Sequence, residues 1–257
     1  MKKKIKITFA CSITVLIVLL VIALPIIRQF QELAPLDTGE IVSGVFAVQD
    51  NAARVTVNLF IIRTPENNYI AIDAGSTPET VYREMTKLGI NPSDVVAVLL
   101  THVDGDHVGG LTLFYNATVY LHEEELQMID GTTRRNIFAG HIRLPEGVSV
   151  TAITGTVVVD GMEVHSYLVP GHTPGSTFWR IGDMLFTGDT IGLRDGRAYV
   201  HFPTFFNMDG SKQIQSVDAL FDKIDFFSEN PQVTYLFTAH HGYTNNAALA
   251  LCGGLRR

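Results

Sequence analysis

Short apolar runs alternate with polar turns along most of this chain, at a spacing that suits strands more often than helices. Residues 41–48 and 53–63 read as strands, with Gln49-Asp50-Asn51 turning between them. Residues 69–72 form a third, ended by Asp73-Ala74-Gly75. Thr77-Pro78 then opens a helix, with a hydroxyl at the N-cap and proline in the first turn. Val81, Met85 and Leu88 share one face of it, and Gly89 stops it. Asn91-Pro92 turns the chain into the apolar, β-branched run 95–100. Residues 118–121 predict a strand and 123–128 a short acidic helix. Residues 148–159 and 163–169 predict a β-rich pair around Asp160-Gly161, and 177–181 with 184–187 a hairpin around Gly182-Asp183. Ser211 is expected to cap a longer helix whose apolar face is Ile214, Val217, Leu220, Phe221, Ile224 and Phe227. Residues 232–238 are the last strand. Strands interrupted by helices, with no Pro- or Gly-rich linker after residue 40, predict two sheets packed face to face with helices outside, as a single domain.

The N-terminus has a different pattern. Residues 1–6 are a basic segment, and 7–27 carry no charged residue over a length close to that of a bilayer. Basic residues ahead of such a run predict a retained, single-pass anchor in the cell membrane, with the rest of the chain extracytoplasmic. A cleaved signal, which would make the protein secreted, would have a shorter apolar core and a small-x-small site after it. Residues 28–40 read as a linker and 41–257 as the folded domain. With 46% apolar residues the domain can build a substantial core, and a net charge of −7 argues against a nucleic-acid partner. Cys11 and Cys252 form no readable disulfide framework and sit in no nucleophile motif.

Candidate chemistry collects at the ends of predicted strands. Thr101-His102-Val103-Asp104-Gly105-Asp106-His107-Val108-Gly109-Gly110 follows the run 95–100 and brings two imidazoles and two carboxylates into one turn. Such a set can hold a divalent cation while leaving a position open for water. Three more strand ends add to it: Pro170-Gly171-His172-Thr173-Pro174-Gly175-Ser176, Phe186-Thr187-Gly188-Asp189-Thr190, and Thr238-Ala239-His240-His241-Gly242. His122, His141 and His165 read as structural or surface positions. His201 lies in an aromatic loop that suits either core packing or substrate contact.

These motifs, in this order, resemble the metallo-β-lactamase superfamily over roughly residues 41–243. The resemblance implies a four-layer αββα sandwich, an α/β fold, with a dinuclear metal site at one edge. It implies one metal on His102, Asp104 and His172, and a second on Asp106, His107 and a C-terminal histidine, with Asp189 bridging. His240 is favoured over His241, being nearer the strand end. Asp73 resembles an acidic residue that supports the site from behind. The family usually reads H-x-H-x-D-H, and this chain departs from it at Asp104, which makes the site harder and more negative. Zinc leads, with iron or manganese brought into range by the oxygen ligands, and filling of the second position alone stays open.

The expected function is a metal-dependent hydrolase using a metal-bridged hydroxide on an ester, lactone, thioester or phosphodiester, small or envelope-derived. Asp106 is the expected catalytic residue, orienting the nucleophile and moving a proton. Two alternatives stay open: a non-catalytic, metal-stabilised binding module at the cell surface, and a true β-lactamase. Substrate choice is expected to rest on residues 189–211 and the early hairpin near 48–54.

Overall fold

A computed structural model describes residues 33–52, 55–135, 142–200, 206–222, 226–252 and 255, with 17, 19–21, 23, 24 and 27 near the N-terminus. The chain forms two compact units, Met1–Leu33 and Ala34–Arg257. In the first, the described residues between 17 and 27 are helical, and Ile17, Leu19, Leu20, Val21, Leu24 and Ile27 are exposed. Among the described residues no helix is long and apolar enough to cross a membrane. The spanning helix expected over 7–27 is therefore not supported, and most of that stretch lies outside the described residues.

The second unit is built on two sheets. The first has seven strands in sequence order: β1 (Gly39–Val42), β2 (Val45–Asp50), β3 (Val57–Arg63), β4 (Tyr69–Ile72), β5 (Val95–Leu99), β6 (Thr118–His122) and β7 (Val150–Ile153). It is antiparallel up to β4 and parallel from β4 to β7. The second sheet uses β8 (Thr156–Val159), β9 (Met162–Leu168), β10 (Thr177–Ile181), β11 (Met184–Phe186), β14 (Tyr235–Phe237) and β15 (Tyr243–Thr244), in the order β15-β14-β11-β10-β9-β8. Between them in sequence, β12 (Ile191–Arg194) and β13 (Arg197–Val200) form a separate hairpin.

The pleat sorts the side chains into layers, because successive residues of a strand point to opposite faces. On the first sheet Val45, Ala47, Phe60, Ile62, Ile72 and Leu99 face the second sheet and meet Trp179, Ile181, Phe186 and Phe237 there. The alternate residues Val48, Leu59, Ile61, Ala71 and Val98 face outward and pack against Val81 and Met85 of the helix Pro78–Lys87. On the second sheet Phe178, Leu185 and Leu236 face outward against Val217, Phe226 and Leu251, from the helices Gly210–Asp222, Phe226–Glu229 and Ala247–Leu251. The result is helix, sheet, sheet, helix: an α/β sandwich with apolar packing between the sheets and under the helices on both outer faces. Trp179 also ties the two sheets directly, its indole N–H donating to the carbonyl of Leu100 at 3.0 Å.

Three local expectations need correction. Residues 41–48 are two strands, not one, because Gly44 at φ +76° turns the chain back on itself. Residues 148–159 are likewise broken at Gly155 (φ +80°), and the halves join different sheets, β7 the first and β8 the second. The cap of Gly210–Asp222 is Asp209, whose side chain accepts from the Lys212 N–H at 2.9 Å, rather than Ser211. Ile224, expected on that helix's apolar face, lies outside the described residues, as do His141 and His201.

Candidate metal centre

Each candidate ligand leaves the C-terminal end of a strand, and the two sheets deliver their strand ends to the same edge. His102, Asp104, Asp106 and His107 follow β5 of the first sheet. His172 follows β9, Asp189 follows β11 and His240 follows β14 of the second. Backbone hydrogen bonds stitch these loops together: Thr177 N–H to Thr101 O at 2.9 Å, Ala239 N–H to Gly188 O at 3.2 Å and Asn58 N–H to Ala239 O at 2.8 Å. Gly188 makes one of the close approaches. It sits at φ +53°, and a Cβ there would lie 2.4 Å from the Thr101 hydroxyl oxygen, so only glycine lets the Asp189 loop lie on the β5 loop.

Within this frame the side chains form three overlapping groups, of which His102, His107 and Asp189 make the central one. His102, Asp104 and His172 can meet on one cation, and Asp106, His107 and His240 on another. Asp189 lies between them: one carboxylate oxygen is 3.2 Å from His107 Nε2 and 3.1 Å from His240 Nε2, and the other is 3.7 Å from His172 Nε2. Asp106 Oδ2 is 3.8 Å from both His107 Nε2 and His240 Nε2. The rings of His102 and His107 are 4.0 Å apart, and those of His102 and His172 are 4.7 Å apart. All these histidines are buried, whereas the Asp106 side chain keeps 26% of its surface exposed at the mouth of the cluster.

For three of the rings the far nitrogen is anchored, which turns the near one inward. His107 Nδ1 donates to Asp73 Oδ2 at 2.9 Å, His172 Nδ1 to Asn207 Oδ1 at 2.8 Å and His240 Nδ1 to the carbonyl of Thr56 at 2.7 Å. Asp73 has a left-handed backbone (φ +62°) and also accepts from the Thr101 N–H at 2.7 Å, so it pins the loop and the ring at once. The other C-terminal histidine, His241, faces away, its ring within 3.2 Å of the Tyr199 hydroxyl.

Charge in the cluster is strongly coupled. Burial alone would lift the Asp189 carboxyl, but the His240 and His107 rings outweigh it and hold the group well below its usual range. Burial would lower His107, yet Asp189, Asp73 and Asp106 raise it well above its ordinary value, and His240 is raised against burial by Asp189. His102 goes the other way: burial, helped by His107, lowers it.

A divalent cation fits this donor set. His102 Nε2, His107 Nε2 and Asp189 Oδ1 are buried without a hydrogen-bond partner. Such groups are costly in a folded interior, and here they point at one another. Imidazole nitrogens with carboxylate oxygens suit zinc, iron or manganese.

Three residues at the site carry no sequence signal. Glu125, within the stretch expected to be a short acidic helix, is fully buried in the 3₁₀ turn Glu123–Glu125. One of its oxygens accepts from the Val103 N–H at 3.1 Å and the other from the Gly175 N–H at 2.7 Å, joining two ligand loops. Asn207 orients His172, as above. Arg135 lies against Asp104, its guanidinium 2.8 Å from Oδ2. His122 keeps the structural part expected of it, accepting from the Glu124 N–H at 3.2 Å.

Comparison with known proteins agrees with this geometry. The family model for the metallo-beta-lactamase superfamily matches residues 52–240. A protein named probable polyketide biosynthesis zinc-dependent hydrolase BaeB, from Bacillus velezensis, is 30% identical over 48% of this chain and 49% of its own length. A hydroxyacylglutathione hydrolase from Synechococcus sp. (strain JA-3-3Ab) is 27% identical over 75% of this chain and 67% of its own length. The chain thus spans about half of the first relative and about two-thirds of the second. The crystal structure of a metallo-beta-lactamase family protein from Thermus thermophilus superposes with a TM-score of 0.60 at 19% identity, covering 82% of this chain and 78% of that one. Sandwich, strand-end histidines and carboxylates, and family model agree, and the chain belongs to the metallo-beta-lactamase superfamily.

Proposed function

We propose that this chain hydrolyses an ester, thioester, lactone or phosphodiester with divalent metal held by His102, Asp104, Asp106, His107, His172, Asp189 and His240. The observation that carries the reading is the convergence of the buried His102 Nε2, His107 Nε2 and Asp189 Oδ1 on one point. A name such as hydroxyacylglutathione hydrolase, borne by a relative matched over 75% of the chain, supports acyl compounds first. Zinc leads on the same ground, since a second relative is named zinc-dependent.

A bound dication supplies Lewis acidity, polarising a carbonyl or phosphoryl oxygen and lowering the pKa of water. The chain's own residues do the rest. Asp73, Asn207 and the Thr56 carbonyl hold the rings of His107, His172 and His240 in place in advance. Asp106, exposed at the mouth of the cluster, takes a proton from the attacking water and passes it to the leaving group. No serine or cysteine nucleophile is needed. The N-terminal basic segment and charge-free run support a membrane-anchored, extracytoplasmic placement, which protease shaving of whole cells would test.

The test is metal analysis of the purified protein together with a panel of thioester, lactone, bis-p-nitrophenyl phosphate and chromogenic lactam substrates. Hydrolysis that vanishes in Asp106→Ala with metal retained supports the reading. A metal-free, inactive wild-type protein would instead indicate a binding module.

A further inference from the structure

The departure at position 104 has a partner. Arg135 reaches the cluster from beyond the short helix Leu126–Ile129, and its guanidinium contacts Asp104 and His172 there, including His172 Nδ1 at 3.4 Å. One amino group is 2.8 Å from Asp104 Oδ2, the same oxygen that lies 3.2 Å from His172 Nε2 and 3.4 Å from His102 Nε2. That amino group is also 3.0 Å from His172 Nε2 itself. The other amino group donates to the backbone carbonyl of His172. Asn207 takes the proton of His172 Nδ1, so Nε2 carries the lone pair, and the lone pair a cation would use faces the guanidinium.

Arginine keeps its charge at every relevant pH, and its forked donors suit a carboxylate. A histidine at 104 would offer it no anion. Asp104 and Arg135 therefore explain each other: the carboxylate that departs from the usual family pattern is the group that holds a fixed positive charge between two would-be ligands. The other group is surrounded by acids instead: His107 faces Asp73, Asp106 and Asp189, and His240 faces Asp106 and Asp189.

We propose that Arg135 is a built-in cation occupying the His102–Asp104–His172 position, so that the protein holds one dication tightly at Asp106, His107, Asp189 and His240 and a second only weakly, after Arg135 is displaced. The inference rests on the metal-hydrolase reading above. Like charges at this distance repel strongly in a buried site, and the guanidinium already satisfies two of the three donors a dication would take.

The experiment is a zinc titration of the chelator-stripped full-length protein, with metal counted by mass spectrometry and affinities set by competition with a chromophoric chelator. The wild type is expected to bind one equivalent tightly and a second about a hundredfold more weakly. In Arg135→Ala the second affinity should approach the first, while Arg135→Lys, which keeps the charge, should leave it weak. Two equivalents of indistinguishable affinity in the wild type overturn the proposal, whether or not the variants fold. An unchanged second affinity in a folded Arg135→Ala protein overturns it as well. No tight zinc at all in the wild type removes the metal-hydrolase reading itself, a separate outcome from two equal sites.

Discussion

Glu125 offers a direct check on how the site is held together. Its carboxylate is buried and accepts from the backbone N–H groups of Val103 and Gly175, one from each of two ligand loops. Truncation to alanine leaves both N–H groups buried and unsatisfied, at roughly 1–3 kcal/mol each, so about 2–6 kcal/mol of stability should be lost. The group also has a pH signature. Burial is the dominant influence and pushes its pKa from 4.5 up to about 8, against the pull of the Thr173 hydroxyl and the Gly175 and Val103 N–H groups. A carboxyl raised on folding binds its proton more tightly in the native state than in the unfolded chain. Its contribution is thus fully present below pH 4.5 and is lost as pH rises through about 8. The whole window corresponds to on the order of 5 kcal/mol. Glu125→Gln removes the titration while keeping the volume, and its amide N–H₂ against one backbone donor adds a cost that does not vary with pH. Urea unfolding of metal-stripped wild type and Glu125→Gln at several pH values between 4.5 and 8 isolates the effect. The stability of wild type relative to the variant should fall steadily across that range. A difference that stays flat would refute the account of Glu125 as a desolvated acid.

Other outcomes follow from the same geometry. His240→Ala should lose bound metal and activity, whereas His241→Ala should keep metal, because His240 reaches Asp189 and His241 turns to Tyr199; equal metal content in the two variants would contradict this. Gly188→Ala should lower the melting temperature by a margin worth about 1–3 kcal/mol, since it strains a left-handed backbone and drives a methyl group into Thr101; a calorimetric scan reads it. Chelation should lower the melting temperature too: a cation present at about a thousandfold its Kd stabilises by about 4 kcal/mol, and thermal unfolding with and without chelator measures the loss.

What could be read in the sequence was what is local. The four ligand motifs were visible because each is a strand end and a turn, spelled out in consecutive residues. The helix at 78–87 was visible for the same reason, its start and stop being written as Thr77-Pro78 and Gly89. Harder to see was anything set by the partner surface. Glu125 stands in a run of three glutamates that suggests solvent, and only the Gly175 loop packing over it makes it an interior group. Arg135 follows no motif, and its meaning depends on Asp104 being nearby in space. The break at Gly155 escaped because residues on both sides are β-formers, and nothing local says that they join different sheets.

The delivery of ligands by both sheets has a consequence for how the protein matures. His102 and His107 come from the first half of the chain and His240 from near its end, so the complete donor set is a long-range contact. Long-range contacts form late in folding. A nascent chain that has not yet emitted β14 carries most of the ligands but cannot close the cluster. On the metal-hydrolase reading, a copy in which β14 has not joined the second sheet lacks His240 and should hold less metal, so metal content would report on the docking of the two sheets.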